Sequence, residues 1–168
     1  MAKGMTRSVK LILAKMHQLN GEVLTVQELS RRLGASASTI KYIFSHGLAE
    51  DFEYVVVGKV AVVGRRGTVD HWLNSLLGMV ERILLNVTRS CKSRCCSVSL
   101  ARLIKLIENS PAVLVELLVE LKRAGVPPLN TPPGTSFVRA LLERRYSVIP
   151  LREENGKPVD YRVTVCRS

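Results

Sequence analysis

No uninterrupted apolar run in this chain approaches the ~20 residues that a bilayer span requires. The opening stretch MAKGMTRSVKLILAKMHQLNG also lacks an apolar core followed by a small-residue cleavage site. Neither a membrane span nor a secretory leader is expected, and the expected compartment is the cytoplasm. Acidic residues are scarce, with 14 Asp and Glu against 25 Lys and Arg and a formal charge of +11. Glutamine is scarcer still, at Gln18 and Gln27 alone. The three histidines, His17, His46 and His71, stand at no metal-ligand spacing. Phosphate-cradling glycine loops and nucleophile motifs are missing too, and the Glu153-Glu154 pair lies beside an expected turn. An enzyme is therefore not expected, and no cofactor is implied.

What is present suits a packed globule: 168 residues and a hydrophobic fraction of 46% make one ordinary domain or two small ones sharing a core. The positive excess is spread along the chain, since residues 1–69 hold ten basic and five acidic groups and residues 70–168 hold fifteen and nine. Such a charge points first to nucleic acid as partner; an acidic membrane surface or an acidic protein also fits. Sixteen arginines against nine lysines is a balance found in some heat-adapted proteins.

The stretch LTVQELSRRLGASASTIKYIFSHG (24–47) carries two helical patterns separated by a glycine. Val26, Leu29 and Leu33 recur at helical spacing, with Gln27, Glu28, Arg31 and Arg32 on the other face. Thr25 stands three residues before Glu28, the spacing of a capping box. A glycine inside a helix costs roughly 1 kcal/mol, so Gly34 is expected to end the first helix in a left-handed turn. Ser36 then caps a second helix whose Ile40, Ile43 and Phe44 point inward. A preceding helix is expected over roughly Arg7 to Leu19, with Val9, Ile12, Leu13 and Met16 buried. Downstream, the β-branched runs Glu53–Val57 and Val60–Val63 flank Gly58-Lys59, the composition of a type II′ hairpin.

Leu29, Ser30, Leu33, Gly34, Ala35, Ile40 and Ile43 together resemble the helix-turn-helix motif, over about 22 residues. Ser30 departs from the alanine the family more often has, but remains small. With the added helix and hairpin, residues 5–67 resemble a winged helix-turn-helix domain. That resemblance implies a second helix in the major groove, presenting Ser38, Lys41, Tyr42 and Ser45 to base edges or phosphates. It implies a phosphate near Ser36 and Thr39 at the helix start, a backbone grip by Lys59, Arg65 and Arg66, and further phosphate contacts from Arg31 and Arg32. Tyr42 packing under the hairpin is the bland alternative, and protein docking is the alternative use of such a domain.

Residues 68–90 read as one long helix, with Val69, Trp72, Leu73, Leu76, Leu77, Val80, Ile83, Leu84 and Val87 on one stripe. At about 20 residues it would span ~30 Å. Its stripe must be covered either by the carboxy-terminal half or by the same helix of a second subunit. A homodimer is the favoured expectation, since two-fold reading of a palindrome gives short helix-turn-helix units enough contacts. Residues 98–166 add two helices, with Ser110 as cap, Pro111 at the first helical position and Gly125 as stop. A proline-rich connector, a short basic helix and a hairpin at Asn155-Gly156 follow. This half reads as a second, less regular winged-helix-like unit, in which Arg139, Arg144, Arg145, Arg152 and Lys157 are candidates for a second DNA contact.

For Cys91, Cys95, Cys96 and Cys166, reduced and partly buried thiols are the expectation. Zinc is disfavoured by the lack of paired CxxC motifs; the disulfide alternative joins the cluster to Cys166 and staples the last strand to the middle helix. The fold class expected is mainly α with small β-hairpin wings. The function expected is that of a sequence-specific double-stranded DNA-binding protein, a dimeric transcription regulator. The alternatives are a scaffold subunit docking on a polymerase, replication or segregation complex, and a nonspecific chromosome-coating protein.

Overall fold

A computed structural model describes residues 6–19, 21–110 and 115–167. Hydroxyl caps set most of the helix starts. Thr6 accepts from the Val9 N–H to open α1 (Arg7–His17), and Ser99 from the Arg102 N–H to open α5 (Leu100–Asn109). Thr131 does the same, through the Gly134 N–H, for α7 (Pro132–Glu143). Thr25 accepts from Glu28 to open α2 (Val26–Leu33), and Ser36 from Thr39 to open α3 (Ala37–Ser45). The capping box at α2 is half made, because the Glu28 carboxylate turns to Arg31 and Arg32 instead of back to the cap. Gly34 sits at φ 66°, the left-handed turn that ends α2 two residues before the Ser36 cap of α3. Ser30 bonds across this turn to the Ala35 carbonyl, so the serine in place of alanine has a structural use.

The remaining elements are β1 (Leu24–Thr25), β2 (Phe52–Val57), β3 (Val60–Arg65), α4 (Thr68–Thr88), β4 (Cys95–Ser99), α6 (Val115–Ala124), β5 (Ser147–Glu154) and β6 (Lys157–Cys166). Among the described residues these make seven helices and two three-stranded antiparallel sheets, ordered β1-β3-β2 and β4-β6-β5. The expectation of a mainly α chain with hairpin wings, a winged helix-turn-helix over 5–67 and a second winged-helix-like unit over 98–166, is thereby corrected to a mixed α and β fold. Two short strands make the difference. Leu24–Thr25 pairs with Val62–Val63, and Cys95–Ser99 pairs with Arg162–Cys166, so each expected hairpin becomes part of a full sheet. Two residues are too few to show a period, and Cys-Cys-Ser-Val-Ser carries little β propensity outside Val98.

The first sheet packs against a core on each face, with Val56 exposed at its end. Along β3, Val60 and Val62 join the larger core of α4 to α7, whereas Ala61 and Val63 pack with α1, α2 and α3. The turn between β2 and β3 is docked as well: the Lys59 N–H donates to Ser136 Oγ of α7 at 2.9 Å. A Cβ at Gly58, which has φ 64°, would overlap the Ser136 carbonyl. G58A is therefore expected to lose stability by both backbone strain of order 1–3 kcal/mol and overlap. G156A, also at positive φ but in open space, loses less; thermal unfolding of the two variants checks the difference.

The stripe of α4 is covered from within the chain. Leu76, Val80 and Leu84 are fully buried against the carboxy-terminal half, so this stripe does not call for a second subunit. Pro111 lies outside the described residues; Ser110 ends α5 in extended backbone. No helix among the described residues is long and apolar enough to cross a membrane.

The expectation of reduced thiols is also corrected, because disulfides join Cys91 to Cys96 and Cys95 to Cys166. Strand alternation explains the division between two adjacent cysteines. Cys95 faces outward, directly opposite Cys166 on β6, while Cys96 faces the core and meets Cys91 after the end of α4. The last strand is thus stapled to β4 and not to α4.

A candidate nucleic-acid interface

Helix α3 buries Ile40 and Ile43 completely and turns Ser38, Lys41, Tyr42 and Ser45 to solvent. Its outer flank lies free of the chain's own central helix. Tyr42 is 39% exposed and does not pack under the β2–β3 turn; its ring lies 3.9 Å, centroid to centroid, from that of His46. Ser45 Oγ donates to the Tyr42 carbonyl at 3.0 Å, which holds the last turn of the helix together. His46 was not singled out from the sequence, although its place four residues after Tyr42 on a helical face is the signal that finds it. At the helix start, the Ser36 hydroxyl is engaged by its cap and lies 2.8 Å from Thr39 Oγ1.

Lys41 and Lys59 line one cleft of about 280 Å³ together with Thr25, Tyr54, Ala61 and Pro127. Neither lysine has an acidic partner among the described residues. At the other end of α3, Arg66 shares a hollow with Phe44, Gly47, Glu50 and Glu53 and donates from Nε to the Glu50 carbonyl. Arg65 donates to the His17 carbonyl at 3.1 Å and lies over the Phe52 ring.

The other arginines named from the sequence are engaged inside the protein. Arg31 pairs with Glu28, and Arg32 with Glu28 at 3.1 Å and Glu22 at 2.7 Å. Glu22 in turn meets Arg123 at 3.1 Å, and Arg123 meets Glu120, which also accepts from Trp72 Nε1 at 2.9 Å. Three carboxylates thus balance three guanidiniums and tie α2 to α6. Hydrogen bonds from Arg31 and then Arg32 outweigh burial and hold the Glu28 carboxyl down at about 2. Its folded value lies below the unfolded one of 4.5, so its contribution is present above pH 4.5 and lost as pH falls from there towards about 2. E28Q is expected to flatten that acid limb of the stability curve, read by denaturant midpoints at graded pH.

In the carboxy-terminal half, Arg139 donates to the Tyr161 hydroxyl at 2.6 Å and pairs with Glu143. Arg144 pairs with Asp70 and Arg145 with Glu81, so both fasten the turn after α7 to α4. Arg152 and Lys157 stand exposed on the β5–β6 hairpin without an acidic partner among the described residues.

No family model matches the chain. No curated protein matches it either. A solved structure does: the crystal structure of the hypothetical protein PyrSV_gp04 from Pyrobaculum spherical virus, with a TM-score of 0.61 and 21% identity over 96% of each chain. The likeness is one of fold.

Proposed function

We propose that the chain is a non-enzymatic, sequence-specific double-stranded DNA-binding protein that regulates transcription by laying α3 in the major groove. One observation carries the reading. The outer face of α3 keeps Ser38, Lys41, Tyr42 and Ser45 exposed, while the ion-paired arginines lie elsewhere. Hydroxyls, a lysine and a stacked Tyr42–His46 pair supply donors, acceptors and a flat apolar edge for base contacts. Lys59 at one end of the helix and Arg66 at the other line hollows beside it, and in this reading they take phosphates and set its register, with Arg65 and Arg66 using the N–H groups left beyond their bonds to the His17 and Glu50 carbonyls. The helix-turn-helix resemblance of residues 29–43 supports the same reading. The two disulfides narrow the expected cytoplasm to one that keeps such bonds oxidised, as in heat-adapted cells.

Selection of bound duplexes from a random pool tests it. Enrichment of a short motif, lost in K41A and Y42A, is the expected result. A palindromic motif reports a dimer and a single half-site a monomer. Recovery of the input pool without enrichment overturns sequence-specific regulation in favour of nonspecific coating.

A further inference from the structure

Between Glu81 and Glu108 the chain holds no carboxylate, yet it carries Arg82, Arg89, Lys92, Arg94, Arg102 and Lys105. The last seven described residues, 161–167, add Arg162 and Arg167 and again no acid. The fold brings these two segments together, because β4 and β6 pair from Cys95 opposite Cys166 to Ser99 opposite Arg162. Val98, Val163 and Val165 are buried, so alternation turns Ser97, Ser99, Arg162 and Thr164 to the other side of the sheet. Among the described residues no helix covers that side: Ser97 and Arg162 are exposed, Thr164 is half-buried, and Ile149 of β5, opposite Arg162, is exposed beside them.

The loop before β4, with Lys92 and Arg94, is fixed by both disulfides and by the Arg167 N–H donating to the Arg94 carbonyl at 2.8 Å. The Arg167 guanidinium is engaged with the Thr88 and Arg89 carbonyls at the end of α4. Arg89, Lys92, Arg94 and Arg162 have no acidic partner among the described residues. Asp160 is the nearest carboxylate along β6, and it is taken by the Ala101 and Tyr161 N–H groups. Four strand steps separate the two ends of the face, about 13 Å at ~3.3 Å per residue.

We propose that this face is a second nucleic-acid surface, holding the phosphate backbone of another duplex segment without reading its sequence. Cations and hydroxyls beside Ile149 on a rigid sheet suit phosphate oxygens and sugar edges, and among the described residues the face offers no amide or aromatic side chain that could discriminate bases. Its loop, 89–94, follows the carboxy-terminal end of α4, whereas β3 leads into the amino-terminal end, and a 21-residue helix is ~30 Å long. One chain therefore bridges two segments, the bridging resting on the α3 reading for the first of them.

The test uses the full oxidised chain in a capture assay, with one duplex on beads and a second, labelled duplex of unrelated sequence. Wild type retains the second duplex. K92E/R94E/R162E retains less than a tenth as much while keeping the sequence preference, and K92Q/R94Q/R162Q falls between, with circular dichroism establishing that each is folded. Wild-type capture by the Glu variant, or no capture by wild type, overturns the proposal. Failure of the α3 reading looks different: K41E then alters nothing, while the Glu variant abolishes binding. Phosphatidylserine vesicles or polyglutamate that displace the second duplex at equal charge would assign the face to a membrane or an acidic protein and overturn it as well.

Discussion

Replacing Cys95 and Cys166 together by serine lowers the unfolding free energy by about 4 kcal/mol on chain-entropy grounds, because that bond spans 71 residues of sequence. The Cys91–Cys96 bond closes a loop with a separation of 5 and is expected to contribute about 2 kcal/mol. Domains of this size are stable by only about 5–15 kcal/mol, so the longer bond decides whether the carboxy-terminal strand stays in place at elevated temperature. Its loss frees the end of β6, exposes Val165 and loosens the β4 edge on which it lies. Denaturant midpoints of C95S/C166S and C91S/C96S, compared with the oxidised chain, check the order and the size. A shift below about 1 kcal/mol for the longer bond would mean that β6 is held by its ladder and by Val163 and Val165 alone.

The amino-terminal elements could be read from the sequence because each has a local cause. Thr25, Gly34 and Ser36 punctuate α2 and α3 at their own positions, and Gly58-Lys59 fixes the hairpin between two β-branched runs. The long stripe of α4 identified its helix for the same reason. What could not be read depends on partners distant in sequence. Leu24–Thr25 and Cys95–Ser99 are strands only because Val62–Val63 and Arg162–Cys166 lie beside them, and that pairing changed the fold class. The cysteines behave likewise, since the strand register sets Cys95 opposite Cys166 and the two adjacent cysteines face opposite ways.

The candidate site divides along the same line. The exposed flank of α3 follows from helical spacing around Ile40 and Ile43, and Ser38, Lys41, Tyr42 and Ser45 stand where that spacing puts them. Whether an arginine is free depends on which carboxylate the fold brings to it. Arg32 meets Glu22 ten residues away, Arg144 meets Asp70, and Arg145 meets Glu81, none of them visible as local pairs. Sequence counting treats all 25 cations alike; packing sorts them into ties between elements and groups left for a partner.

That sorting sets the expected salt dependence of DNA binding, the largest effect of all. With Lys41 and Lys59 on phosphates, joined by the N–H groups that Arg65 and Arg66 keep beyond their bonds to the His17 and Glu50 carbonyls, the slope of log affinity against log salt is about −3.6, roughly a hundredfold loss between 50 and 200 mM. Adding Arg89, Lys92, Arg94 and Arg162 doubles the count to a slope of about −7, a loss of order ten thousandfold over the same range. Gel-shift titrations at graded salt separate the two cases, a short duplex that reaches only one face giving the shallow line and an excess of long DNA the steep one. K41E is expected to remove the sequence preference and, by reversing one contact, to reduce the shallow slope by about one. Affinity unchanged by salt would remove the phosphate contacts on which both surfaces depend, and α3 would then be the docking face for a protein.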